Sequence, residues 1–127
     1  MDYTILLKKA QEVSQNAYSK YSKFSVGACV LAESGETYVG CNVENASYGL
    51  TVCAERNAIA SAIANGEKSI LAVAVYAAGM DNCQPCGACR QVILEFQKDK
   101  EVEIVTKSGS VYKVKTINEL LPDAFML

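Results

Sequence analysis

The chain has 127 residues, half of them apolar, with a formal net charge of -2, six cysteines and no histidine. That length suits one domain with a core that needs no cross-links, so a single domain over residues 1–127 is expected. Scattered lysines and arginines argue against affinity drawn from a phosphate backbone, and no run of about 18 apolar residues exists to cross a membrane. The missing histidine removes His-based nucleophile activation and mixed His/Cys metal sites, leaving sulfur, carboxylate or water to hold any metal.

In chain order, Asp2 is a good N-cap, and Leu6, Ala10, Val13 and Ala17 recur at helical spacing, which predicts a helix over Tyr3–Tyr18. Ser19–Lys23 is a polar loop. Phe24–Gly27 leads into a strand over Ala28–Ala32. A turn at Glu33–Glu36 returns the chain as a second strand over Thr37–Val43. After the loop Glu44–Leu50, Thr51 is expected to cap a helix that runs to Ala64 and stops at Asn65-Gly66. That helix carries almost no charge after Arg56 and is expected to be buried on most sides. The continuous apolar run Ser69–Ala78 reads as a central strand covered on both faces. Pro85 opens a helix over Cys86–Gln97, Glu101–Thr106 is a strand, Ser108–Ser110 a turn, and Val111–Lys115 a half-exposed edge strand. Ile117–Leu121 is a short helical piece before Pro122. The order predicts an α/β fold: a three-layer α/β/α sandwich on a mixed five-stranded sheet. With no basic, apolar leader at Met1–Ile5, a cytoplasmic setting is expected, where thiols serve metal or thiol chemistry better than disulfides.

Two stretches carry the chemistry: Cys53-Ala54-Glu55-Arg56 and Pro85-Cys86-Gly87-Ala88-Cys89. Cys86 and Cys89, three apart in the first turn of a helix, share a face, and Cys53 enters from a second helix start. Two helix N-termini aimed at one point favour thiolates. Three cysteines hold a Zn²⁺ and leave its fourth position open, the mark of a catalytic zinc site. Glu55 is then the proton carrier rather than a ligand. Three thiolates and Zn²⁺ sum to one negative charge, and Arg56 beside Cys53 is placed to draw charge off the sulfurs. Plainer readings stand beside these. Cys86-x-x-Cys89 alone also fits a redox pair, Cys83 is the fourth ligand a structural zinc module would need, and Arg56 also suits an intersubunit ion pair. Cys29, Cys41 and Cys83 read as buried or incidental thiols, and Arg90 and Gln91 as structural.

The segments Cys-Ala-Glu-Arg and Pro-Cys-Gly-Ala-Cys-Arg-Gln-Val resemble the cytidine deaminase family in its small, all-cysteine form. Three further segments extend the resemblance along nearly the whole chain: Tyr21–Ala28, Gly40–Tyr48 and Glu119–Phe125. It implies that Cys53, Cys86 and Cys89 bind zinc and that Glu55 moves protons between water, ring N3 and departing ammonia. It further implies that Asn42 and Glu44 bind the ribose hydroxyls and that Phe24 packs on the pyrimidine. Phe125 and the backbone around Ala46 to Tyr48 would complete the pocket from neighbouring subunits of a homotetramer. The implied activity is hydrolytic deamination of cytidine or deoxycytidine in pyrimidine salvage, with a small-molecule nucleoside as substrate and no nucleic-acid or membrane partner. Deamination of a modified cytosine nucleoside such as blasticidin S, and a noncatalytic zinc-stabilised module, are the alternatives. Ser25 and Ser19-Lys20 depart from prolines common in relatives.

Overall fold

The computed structural model of the protein describes residues 2–127. Its elements are α1 (Thr4–Ser14), β1 (Val26–Ala32), β2 (Thr37–Cys41), α2 (Ala54–Ala64), β3 (Ile70–Ala77), α3 (Gly87–Glu95), β4 (Glu103–Ser108), β5 (Val111–Thr116) and α4 (Ile117–Leu120), with a 3-10 turn at Tyr48–Leu50. The sheet runs β2-β1-β3-β4-β5. Only β3 and β4 are parallel; the other neighbours are antiparallel, so the sheet is mixed as expected.

Alternation along the strands sorts the side chains onto two faces. On one, Leu6, Leu7 and Ala10 of α1 pack against Cys29, Leu31, Ala72, Ala74 and Val105. On the other, Ala54, Ala58, Ile59 and Ala62 of α2 and Ile93 and Leu94 of α3 pack against Ala28, Val30, Val73, Val75 and Ile104. Both helix layers come close because two strand positions lack a side chain. A Cβ on Gly27 would overlap the Ala10 carbonyl oxygen, and one on Gly40 would overlap Ala58 N and Ala54 O. β3 is the covered central strand that its apolar run predicts.

Four details differ from the sequence reading. α1 ends at Ser14 rather than Tyr18: Tyr18 N–H donates to Asn42 O at 2.9 Å, and Tyr18 O accepts from Glu44 N at 2.9 Å. A tertiary bridge thus takes the backbone that helical spacing would have continued. Thr51 does not cap α2. Its hydroxyl accepts from Asn45 N at 3.2 Å, and the N-cap is Cys53. α2 is less covered than expected, with Ala60 and Ala64 exposed, because among the described residues no other element lies over that side. β5 is exposed over Val111–Lys115, on both faces rather than one, since α1 lies over β1 and β3.

Candidate active site

Both helices that carry the site start at a cysteine. Cys53 is the N-cap of α2 and Cys86 the N-cap of α3, each in extended backbone, and neither is capped by its own side chain. The sulfurs are therefore free to leave the helix axis and meet. Cys89, one turn into α3, is completely buried behind them. The three sulfurs all lie within 4.8 Å of one another, and Cys53 Sγ and Cys86 Sγ are 3.8 Å apart. Sulfurs at the corners of a tetrahedron with Zn–S bonds of about 2.3 Å stand about 3.8 Å apart, so the donor set and its spacing fit zinc. Among the described residues Cys83 is outside this cluster, which leaves a four-cysteine structural site without its fourth sulfur.

The electrostatics follow from the packing of the sulfurs and one arginine. Cys53 is pulled down to about 5, first by its hydrogen bond with Cys89 and then, against burial, by Arg56 and Cys86. Arg56 Nη2 donates to Cys53 Sγ at 3.5 Å and to Thr51 O at 3.4 Å. The Cys89 thiol is pushed up, first as the hydrogen-bonding partner of Cys53 and then by burial. The cluster thus collects its negative charge on Cys53, and a bound divalent cation would draw the proton from each remaining thiol. Glu55, in the first turn of α2 and 4% exposed, has its carboxyl raised above the usual range by burial, with the Cys53 charge adding to the effect. A buried carboxyl whose proton affinity is raised, next to a metal site, is suited to carrying a proton.

One cavity of ≈ 230 Å³ joins these groups. Cys53, Glu55 and Cys86 form its floor, and Phe24, Asn42, Glu44, Thr51 and Ser22 are among its walls. Ser22, Glu44 and Thr51 also line an outer recess of ≈ 420 Å³ edged by Tyr21 and Tyr48. Asn42 and Glu44 are already engaged. Asn42 Oδ1 accepts from Val26 N at 2.9 Å and its Nδ2 donates to Phe24 O at 2.8 Å. Glu44 accepts from the Tyr21 and Ser22 amides at 2.9 and 3.0 Å and from the Ser22 hydroxyl, and these bonds hold its carboxyl below the ordinary range. The two residues shape the cavity wall by pinning Tyr21–Val26, while one Asn42 N–H and spare Glu44 lone pairs remain for a ligand. Ala46 is exposed and away from both recesses; Tyr48 edges only the outer one. Phe125 is 71% exposed and also outside both, its carbonyl held by Gln91 Nε2 at 3.0 Å. Gln84, which nothing in the sequence singles out as a site residue, and Cys83, which the sequence offers only as a fourth sulfur or an incidental thiol, also line the inner cavity. Arg90 is structural as expected, its guanidinium donating to Pro85 O and Leu120 O at 2.8 Å.

The model of the cytidine and deoxycytidylate deaminase zinc-binding region matches residues 2–106. The chain belongs to this deaminase family. A cytidine deaminase of Halalkalibacterium halodurans is 44% identical over 126 residues, covering 98% of this chain and 95% of that one. The crystal structure of cytidine deaminase from Burkholderia pseudomallei superposes with a TM-score of 0.90 at 42% identity, over 98% of this chain and 100% of that one. That from Mycobacterium tuberculosis gives 0.88 at 39%, over 100% and 99%. The deaminase fold and its Zn²⁺ thus agree with the three-sulfur cluster.

Proposed function

We propose that this chain deaminates cytidine and deoxycytidine hydrolytically to uridine and deoxyuridine, releasing ammonia, as one catalytic domain acting in cytoplasmic pyrimidine salvage. The observation that carries this reading is the cluster of three sulfurs at zinc spacing, two of which, Cys53 and Cys86, line one cavity together with the buried Glu55 carboxyl.

Cys53, Cys86 and Cys89 would hold the zinc, which when bound supplies Lewis-acid activation of water. The chain's own residues do the rest. Glu55 takes a proton from the water that attacks C4 and delivers it to N3, so that the C4–O bond forms as the C4–N3 double bond opens. When the C4–N4 bond breaks, Glu55 passes the remaining water proton to the departing amine, and ammonia leaves. Phe24 offers an aromatic surface to the pyrimidine. The free Asn42 N–H and the Glu44 carboxylate suit ribose hydroxyls, which both donate and accept. This pairing favours an ordinary nucleoside over a modified one. Arg56 lowers the charge on the sulfur cluster through Cys53.

Exposed apolar side chains support assembly with further copies. Tyr48, Leu50, Phe125 and Met126 are 76, 65, 71 and 64% exposed, apolar surface that a neighbouring copy would cover. A homotetramer in which Phe125 and the Ala46–Tyr48 backbone close neighbouring cavities accounts for it, and sedimentation at the mass of four chains checks it. Among the described residues no helix is long and apolar enough to cross a membrane, and no partner of that kind, nor a nucleic acid, is proposed.

The deciding experiment follows cytidine absorbance with the zinc-loaded protein and with Glu55→Gln. Turnover should fall roughly 10²–10⁴-fold in the variant, the range for losing a positioned acid–base group, with zinc retained. Equal turnover by the variant rejects Glu55 as proton carrier; no turnover by the unaltered protein rejects the activity.

A further inference from the structure

The connection between β3 and α3 delivers Cys86 to the sulfur cluster, and little regular structure holds it. Its anchoring converges on Asn82. This residue sits at φ 54, in the left-handed region that asparagine tolerates better than most residues with a side chain. Its N–H donates to Lys107 O at 2.7 Å. Its Oδ1 accepts two hydrogen bonds, from the Thr106 hydroxyl at 2.5 Å and from Gln84 Nε2 at 2.9 Å. Thr106 is 1% exposed on β4, so the loop is tied to the core of the sheet rather than to surface chain.

The bonds have a direction. With both donors on one oxygen, Gln84 must turn its amino group to Asn82. Its own oxygen is left buried and without a donor from the protein. A buried acceptor in that state is destabilising and persists where the surroundings impose it. The other such atom among the described residues is Arg56 Nε, so both lie in residues within three positions of a cluster cysteine, Gln84 two before Cys86 and Arg56 three after Cys53. Gln84 also lines the cavity with Glu55 and Cys86 and precedes Cys86 by two residues across the buried Pro85.

We propose that Asn82 is a positioning residue of the active site: its carboxamide oxygen, by gathering the Thr106 hydroxyl and the Gln84 amide, sets Gln84 and the Pro85–Cys86 turn against the substrate cavity. The turnover part of this assignment rests on the deaminase reading; the placement of Gln84 does not. Among the described residues the Asn82 side chain bonds only through Oδ1, so two substitutions separate backbone from side chain. Asn82→Gly keeps the left-handed backbone and loses the acceptor. Asn82→Asp keeps an acceptor for both donors and loses no donor bond.

The experiment measures kcat and KM for cytidine per bound zinc, and the Gln84 side-chain amide resonances by NMR, assigned by their loss in Gln84→Glu. In Asn82→Gly, kcat should fall about tenfold, in keeping with the loss of one or two buried hydrogen bonds, and the Gln84 amide should move to a solvent-exposed position. Asn82→Asp should bring kcat back to within about threefold of the unaltered protein and restore the amide signal. Thr106→Val, which leaves residue 82 untouched, should weaken both in the same direction and serves if Asn82→Gly folds poorly. A merely structural turn predicts a lower melting temperature with unchanged kcat per zinc and an unmoved Gln84 amide, and that result overturns the assignment. So does Asn82→Asp performing no better than Asn82→Gly. If the unaltered protein does not turn over cytidine, the deaminase reading fails, and the Gln84 amide still decides whether Asn82 holds the loop.

Discussion

Cys29 and Cys89 are both completely buried, on opposite faces of one sheet, yet their thiols meet different chemistry. Cys29 points toward α1 among Leu6, Leu7, Ala10 and Leu31, and burial pushes it up to about 11. Cys89 lies under the N-termini of α2 and α3 with two other sulfurs within 4.8 Å. A thiol in an apolar layer is a small hydrophobe. The same thiol at converging helix starts, with an arginine on its neighbour, becomes part of a ligand set. The side of the sheet, more than the residue type, separates the two, since helix α1 presents its flank to the strands while α2 and α3 present their starts to one point.

Removing each cysteine breaks the comparison most directly. Cys89→Ala should abolish zinc binding and with it turnover, a larger loss than Glu55→Gln; metal analysis alongside the absorbance assay checks it. Cys29→Ala should keep zinc and kcat and cost about 1–2 kcal/mol in urea unfolding. Loss of zinc in Cys29→Ala would contradict the division of the two faces.

The two close-approach glycines sharpen it next. Gly40→Ala and Gly27→Ala each force a helix off the sheet and should each cost about 1–3 kcal/mol. Only Gly40→Ala displaces Ala54–Ala58, the turn that carries Glu55. Displacements near 1 Å at a catalytic group can cost about 10²-fold, so kcat per folded enzyme should fall in Gly40→Ala and hold in Gly27→Ala. Arg56→Gln should come after these, cutting turnover by a smaller factor while zinc content is unchanged. Unchanged turnover would leave Arg56 a packing or interface residue.

The smallest effect belongs to the α1 face. The Tyr3 hydroxyl donates to Glu103, and its phenol is pushed up from 10.0 to about 12, first by burial and then by that carboxylate. A folded-state value above the unfolded one means stability that is fully present below pH 10 and lost as pH rises toward 12. Tyr3→Phe should therefore flatten the alkaline fall of unfolding free energy in that window without altering kcat at neutral pH.

Much of this was legible in order along the chain. The apolar run at Ile70–Ala77 marks a central strand because only a covered strand tolerates it. The spacing Cys86-x-x-Cys89 marks a metal site because donors about one helical turn apart share a face, and the three-sulfur cluster agrees with it. The α-β-β-α-β-α-β-β-α order marks the sandwich, and the comparisons with solved deaminases agree with it. Local pattern failed where a distant backbone group supplied the partner. Tyr18 continues the helical spacing of α1 but is taken by Asn42 and Glu44. Thr51 has the chemistry of a cap, yet its hydroxyl serves Asn45 and the cap falls to Cys53. Asn42 and Glu44, given a sugar-binding role only by the family resemblance, hold the Tyr21–Val26 segment through backbone groups that no local pattern announces.

The sequence by itself determined the donor atoms: which sulfurs, which carboxyl and which arginine exist at helix starts, since residue type and short-range spacing are local properties. Only the tertiary structure decided that Cys53 meets Cys86 at 3.8 Å while Cys29 stays alone, and that Asn82 reaches across to Thr106 on β4. Those meetings span 24 residues or more and depend on how two helices cross a twisted sheet, a geometry set by packing rather than by any stretch of neighbouring residues.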